Sequence, residues 1–342
     1  MNQYHTLTAS GELSWQEQLG QLHGQMASLI DSMATKSYRL TFTKVFLSDA
    51  TNQMASLMAS RLYTDFIAPV EHSVIEQPPL AEGAKIALLV VGSDLAAPSV
   101  LHDTWRLSNE DVAVAKDSYS QTILLMERYI ERLQRCGQNL ADHCLRTWIY
   151  VRDIDNNYAG MVKARNDLFA RHGLTTDTHF LVSTGIGGAS SVPGALVRMD
   201  TLTTACGVLA DVKYLEALDH LNRTHEYGVA FERGGWFTVG DDKFCLIAGT
   251  ASINRRGQII NEGDVLSQAA RVHENIGALL SDAALTLQDV CYYVVYVRDA
   301  SDRTAVMNYL KTTCPHVPHI VVHAPVCRSG WLIEMECVAR RR

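Results

Sequence analysis

A carboxylate and two guanidinium groups are the side chains of this sequence best suited to chemistry on a small anion: Glu334, Arg233 and Arg328. Glu334 lies in the run LIEMECV at 332–338, where alternation puts Leu332, Glu334 and Glu336 on one strand face and Ile333 and Met335 on the other. A carboxyl group in a partly dry cleft holds its proton more tightly than in water and can exchange it with a vinyl or imine carbon. The commoner fate of such a residue is a solvated face. Arg233, closing the FER element Phe231-Glu232-Arg233, and Arg328, following Cys327, present planar forks that grip a carboxylate through two parallel hydrogen bonds, although most arginines are exposed or salt-bridged. Cys327 reads as pocket lining rather than as a nucleophile, since buried packing is the usual state of a cysteine. Tyr227 and Phe231 are of a kind to stack on a ring, against a default of core packing.

Other polar clusters carry less. His316, His319 and His323 do not read as a metal site, because His319 and His323 share a strand face but stand about 13 Å apart, while His316 faces the other way. His319 fits better as a polar pocket group, since imidazole both donates and accepts near neutral pH. Gly185-Ile186-Gly187-Gly188 is a glycine turn rather than a dinucleotide fingerprint, because Pro193 and a further strand follow where a phosphate-capping helix would begin. Neither a metal nor a cofactor is expected. Arg340, Arg341 and Arg342 read as a solvated tail.

The elements that must position these groups recur. With 342 residues, 47% hydrophobic and 20% charged, the chain is long enough for two to three folded domains and excludes wholesale disorder. Its net charge of −7 argues against a nucleic-acid surface or a polybasic membrane anchor. Eight cysteines without a C-x-x-C pair, and a beginning without a signal pattern, point to reduced thiols and the cytoplasm. No apolar run is long enough to span a bilayer. YRLTFTKVFLSDATN at 38–52, CLRTWIYVRDIDN at 144–156 and VCYYVVYVRDASD at 290–302 are β-rich runs that end in a turn with Asp49, Asp153 and Asp299 in register. A segment of helical periodicity precedes each, over 13–33, 110–136 and 264–283. A second helical segment follows near Asn52, Asn157 and Arg303, and then two strands: 70–76 and 84–91, 178–184 and 195–201, 318–324 and 331–339. A hairpin at 235–239 and 243–249 precedes the third copy. The reading is an α+β chain of three units, 1–98, 99–205 and 206–342, with helices on one face of mixed sheets, an ordered connection at 206–234, and clefts where units meet.

The third unit resembles the Rid (YjgF-like, endoribonuclease L-PSP) superfamily in LIEMECVARRR at 332–342, GTASI at 249–253 and GDVLSQAARVHENIGALL at 263–280. That resemblance implies a chorismate-mutase-like fold, with three tandem units around a pseudo-threefold axis standing in for the family's homotrimer. It therefore implies a monomer that mimics a trimer, with a dimer through an outer face still open. The superfamily's deaminases pair a carboxylate-clamping Arg with a Glu fifteen residues later. Here Glu334 matches the Glu, but fifteen positions back stands His319. The first unit has His72 and Ala87 at those places, and the second has Arg198 with His179 as the nearest candidate. The second and third units are also similar to chorismatases, in RTWIYVRDI at 146–154, STGIGG at 183–188, the FER element, GTASI with Thr250, Cys327-Arg328 and Glu334.

The leading expectation is a cofactor-independent hydrolase or lyase acting on a small conjugated carboxylate, with Glu334 handling the proton and Arg233, Arg328, His319, Cys327, Phe231, Tyr227 and Thr250 around the substrate. The rival is a Rid-like protein that binds a small ligand without turnover. Endoribonuclease activity comes third, because the charge balance is acidic and no basic-aromatic stripe is present.

Overall fold

The computed structural model of the chain describes residues 2–94, 99–206, 208 and 211–342. The first unit contains β1 (Asn2–Thr8), α1 (Trp15–Ala34), β2 (Arg39–Leu47), α2 (Ala50–Met58), β3 (Glu71–Glu76) and β4 (Ile86–Ser93). The second contains β5 (Val100–Trp105), α3 (Asn109–Val114), α4 (Ser118–Arg135), α5 (Leu140–His143), β6 (Cys144–Val151), α6 (Ile154–Arg171), β7 (Val182–Gly187) and β8 (Val197–Thr204). The third contains β9 (Lys213–Tyr214), β10 (Gly234–Val239), β11 (Asp242–Ala251), α7 (Val265–Asp282), β12 (Val290–Val297), α8 (Arg303–Thr313), β13 (His319–His323) and β14 (Ile333–Arg341).

Among the described residues these strands form three mixed sheets with one shared plan, ordered β1-β4-β2-β3, β5-β8-β6-β7 and β9-β10-β11-β14-β12-β13. In each, the strand after the long helix pairs in parallel with the next strand and antiparallel with the one after it. The helix, strand, helix, strand, strand order expected from the sequence is present, and so is the hairpin before the third copy. Each sheet also carries a leading strand, and β1 and β5 escape the sequence pattern. NQYHTLT and VLHDTW mix polar and apolar residues and are half-buried along their whole length, so no clean alternation marks them. The long helix expected over 110–136 is two helices, because Asp117 accepts a hydrogen bond from Ser120 N and starts α4 afresh. The registered aspartates shape the turns after the central strands: Asp49 accepts from Asn52 N and Asp299 from Ser301 N, whereas Asp153 takes a left-handed conformation at φ 46°.

Both faces of the central strands are covered, which is why they read as nearly continuous apolar runs. In the first unit Val45, Leu47, Leu88 and Val90 pack with Leu22 and Met26 of α1. In the second, Ile149, Val151, Val197 and Met199 pack with Met126 of α4 and Met161 of α6. The opposite faces turn toward the neighbouring sheets, and Phe46, Leu89, Trp148, Tyr150 and Val294 share one cluster there.

This inner region is also polar. Lys44 Nζ bonds the Tyr150 hydroxyl and lies 3.3 Å from Asp200 Oδ2. Glu336 accepts from Arg146 Nη2 at 2.8 Å, Trp148 Nε1 at 2.8 Å and Thr184 Oγ1 at 2.9 Å. Strand register makes Lys44, Trp148 and Val294 equivalent positions, paired with Leu89, Asp200 and Glu336 respectively. Backbone bonds tie the units together as well: Leu80 N donates to the Val321 carbonyl at 2.8 Å, Ala189 N to Glu76 at 3.1 Å and Gly187 N to Pro325 at 3.0 Å.

Candidate active site

Glu334 sits on β14 opposite Ala251 of β11 and Tyr296 of β12. A register shift in β11 between Ile247 and Thr250 brings Gly249 against its side chain. The carboxyl is 5% exposed. Burial, aided by the nearby Glu336 carboxylate, pushes its pKa up to about 8. At neutral pH the group is therefore mostly protonated and able to donate.

The cleft around it is built from two units and the connection between them. Tyr158 and Arg165 come from α6, Ser183 and Thr184 from β7, Phe231 and Arg233 from the connection, and Cys327 and Arg328 from the loop before β14. Two cations stand near the Phe231 ring: Arg165 Cζ is 5.8 Å and Arg233 Cζ 6.0 Å from its centre. Arg328 lies over Trp331 at 5.1 Å. The Cys327 thiol is pushed up to about 12, by burial first and the Glu334 charge second, with a Tyr158 hydrogen bond in opposition. It stays protonated and lines the wall. The enclosed space is about 40 Å³. An open depression of about 520 Å³ shares Tyr158, Val229, Cys327 and Arg328 with it.

The structure thus brings Glu334, Arg233, Arg328, Cys327 and Phe231 to one cleft. Arg233 is partly committed, since its Nε and Nη2 donate to the Asn222 carbonyl at 3.0 and 2.9 Å and Nη2 also to Asn222 Oδ1 at 3.1 Å. It anchors the connection as well as facing the cleft.

Two expected members lie elsewhere. Thr250 is buried with its hydroxyl donating to the Ala248 carbonyl at 2.9 Å. It pairs with Met335, not Glu334, so alternation turns it from the cleft that Gly249 and Ala251 line. His319 stands on β13, separated from β14 by β12, with Nδ1 2.9 Å from the Val317 carbonyl. The Tyr227 side chain lies outside the described residues.

Strand register also corrects the second unit. Thr147 pairs with Ser183 as Tyr293 pairs with His319 and Thr43 with His72, so Ser183 is the equivalent position rather than His179. The glycine-rich run belongs to β7 itself, which displaces the strand beyond the 178–184 expected for it. His179 instead stacks on Tyr214 at 4.8 Å. The remaining units lack the acid: Ala87 is core, and Arg198 is buried, donating to Ser73 Oγ at 3.1 Å and Thr104 Oγ1 at 2.8 Å.

Sequence reasoning missed Arg165, Tyr158, Ser183 and Thr184. Arg165 had a legible signal, because it falls on the same helical face as Met161, Leu168 and Phe169, where a cation needs an explanation. Among the described residues no group of His, Cys, Asp or Glu is placed to hold a metal ion, and no helix is long and apolar enough to cross a membrane.

Comparison with known proteins places this geometry in a family. A chorismatase crystal structure matches with a TM-score of 0.67 at 18% identity, covering 88% of this chain and 92% of that one, which is a likeness of fold. A RutC family protein of Pyrococcus abyssi is 35% identical over 101 residues, covering 28% of this chain and 77% of the relative. One from Pyrococcus horikoshii is 34% identical over 101 residues, covering 28% and 78%. The family model described as Endoribonuclease L-PSP matches residues 237–341, the stretch that carries Gly249, Cys327, Arg328 and Glu334. Sequence and fold agree, and the chain belongs to the Rid superfamily, the group of the RutC and endoribonuclease L-PSP proteins.

Proposed function

We propose that the chain is a cofactor-independent hydrolase or lyase that acts on a small conjugated carboxylate, an enol ether such as chorismate or an enamine or imine, at the Glu334 cleft. The observation that carries this reading is Glu334 itself, a buried carboxyl with its pKa near 8, in a cleft lined by Arg165, Arg233 and Arg328. On an enol ether, protonated Glu334 gives its proton to the terminal vinyl carbon. Water adds to the resulting oxocarbenium carbon and returns a proton to the Glu334 carboxylate, and the hemiketal then releases an alcohol and a ketone. Guanidinium groups hold the substrate carboxylate and offset its charge. The space at Glu334, about 40 Å³, is well below the roughly 300–1,000 Å³ of a ligand pocket, so the body of a substrate would occupy the open depression with its reacting end at the carboxyl.

The test is product analysis with pure protein against chorismate and a panel of 2-imino acids. Release of a 2-oxo acid that disappears in Glu334→Gln supports the reading; every compound left unchanged at high protein concentration refutes it. A second reading, a binding protein without turnover, is favoured by Ser183 at the place register-equivalent to His319, where the family's deaminases carry Arg. Ligands that raise Tm without being consumed would select it.

The division into units 1–98, 99–205 and 206–342 and a monomeric trimer-like core are part of the same proposal. Light scattering that shows an obligate trimer of chains would reject that arrangement; a dimer through an outer face would not.

A further inference from the structure

A larger cavity opens where the inner faces of the three sheets meet. It encloses about 400 Å³, within the range of small-molecule sites, and it is separate from the Glu334 cleft. Its side wall is a run of flat rings: Phe42 and His102 stack at 4.0 Å and 19°, and His102 and Trp148 at 6.2 Å and 23°. Phe237 and Phe244 stack at 5.9 Å on another wall. Burial holds the His102 pKa down near 3, so this imidazole is neutral at any ordinary pH.

The charges at the cavity select among ligands. Lys44 and Glu336 both line it, but each is already matched, Lys44 by Asp200 and Glu336 by Arg146. They do not call for a counter-ion. Toward solvent the lining carries Glu71, Asp241 and Asp242 against Arg342, a rim that disfavours an entering anion.

We propose that the central cavity is a second ligand site, for an aromatic molecule that is neutral or bears an amine. This is the reverse of the charge preference at Glu334, and it is independent of the chemistry proposed there. The apolar lining of Phe42, Leu89, Trp148, Phe237 and Phe244 supplies the recognition of a ring, and the acidic rim favours an amine over an anion.

N-phenyl-1-naphthylamine and 1-anilinonaphthalene-8-sulfonate share one ring framework and differ by a sulfonate, so they test both shape and charge. The neutral amine should give saturable fluorescence enhancement with one site per chain, and the sulfonate should bind at least tenfold more weakly. Leu101→Trp, which places an indole in the cavity, should abolish the enhancement, whereas Glu334→Gln should leave it intact. Equal affinity for the sulfonate, or full binding by folded Leu101→Trp, would overturn the proposal. Should Leu101→Trp not fold, a wild-type crystal soaked in 4-bromoaniline decides: anomalous signal from bromine beside Phe42 and Trp148 supports the site, and bromine elsewhere or absent overturns it.

Discussion

The Glu334 carboxyl rests against the α-carbon of Gly249, so closely that a β-carbon at Gly249 would stand 1.8 Å from Glu334 Oε1. A hydrogen at that position is what lets the acid lie flat against β11. The backbone N–H of Gly249 is held in turn by Thr184 Oγ1 at 2.9 Å, which fixes the glycine from the neighbouring unit.

Gly249→Ala should therefore displace the acid rather than unfold the protein, because the atom in the way is the far end of a flexible side chain. Turnover is expected to fall about 10²-fold, the usual cost of misplacing a reacting group by an ångström or so. Tm should move little. Assays alongside thermal melts check this, and wild-type activity in the alanine variant would show that the carboxyl position does not matter.

The proton donation proposed for Glu334 implies a pH dependence. The rate should fall as pH rises through about 8, where the acid form is lost, and Glu334→Gln should lose about 10²-fold or more at neutral pH while remaining folded. A rate profile that is flat between pH 6 and 9, at roughly constant substrate affinity, would assign the proton to another group.

The same shift acts on stability. The pKa of Glu334 is raised in the folded chain, from an ordinary value of 4.5 to about 8, so the folded state binds more protons across that interval. Its contribution is fully present below the lower value and is lost as pH rises through the upper one. Glu334→Gln has nothing to ionise there. The Tm of the variant should gain on that of the wild type as the buffer moves from acid to alkaline across that interval, and a constant difference would contradict the raised pKa.

Glu336 should matter in two ways. Arg146 is fully buried and Glu336 is its countercharge, so Glu336→Gln is expected to cost about 3–5 kcal/mol, as removal of one member of a buried pair does. Joint replacement, Arg146→Met with Glu336→Gln, should recover part of the loss. Because the Glu336 charge helps to raise the Glu334 pKa, Glu336→Gln should also move the alkaline limb of the rate profile to lower pH. Denaturant melts and pH profiles of the two variants test both statements.

The arginines should separate by their other duties. Arg328→Ala is expected to weaken carboxylate binding by about 1.5–3 kcal/mol, the range for hydrogen bonds to a charged group. Arg233→Ala should weaken binding and also lower Tm, because it releases Asn222. Calorimetry with the double variant at full affinity would place the anion elsewhere.

How far the sequence reached depended on whether the deciding contact was local. The registered aspartates, the central strands and the helix pairs all follow from spacing within one unit, and they stand where the pattern put them apart from the break at Asp117 that divides the helix expected over 110–136. Glu334, Arg328 and Cys327 fall within eight residues of one another, in a stretch whose family resemblance was enough to relate them. Thr250 shows the limit, since the register shift next to it reversed which residues of β11 face the acid. Ser183, Thr184 and Arg165 reach the cleft from a different unit, through sheet contacts that no spacing encodes. His319 has the right offset from Glu334 and the wrong place, because an intervening strand keeps the two apart.

The paired positions at the inner faces of the sheets have one more consequence. An assembly of identical subunits must repeat every choice: an acid at the place of Glu336 would appear three times, and so would a lysine at the place of Lys44. Here those places hold Leu89, Asp200 and Glu336 on one set of strands and Lys44, Trp148 and Val294 on the other, so that Lys44 of one unit answers Asp200 of the next while Leu89 and Val294 stay neutral. Joining the units in a single chain releases each junction from symmetry. A substitution is then felt once, and one junction is free to keep chemistry while its counterparts become scaffold.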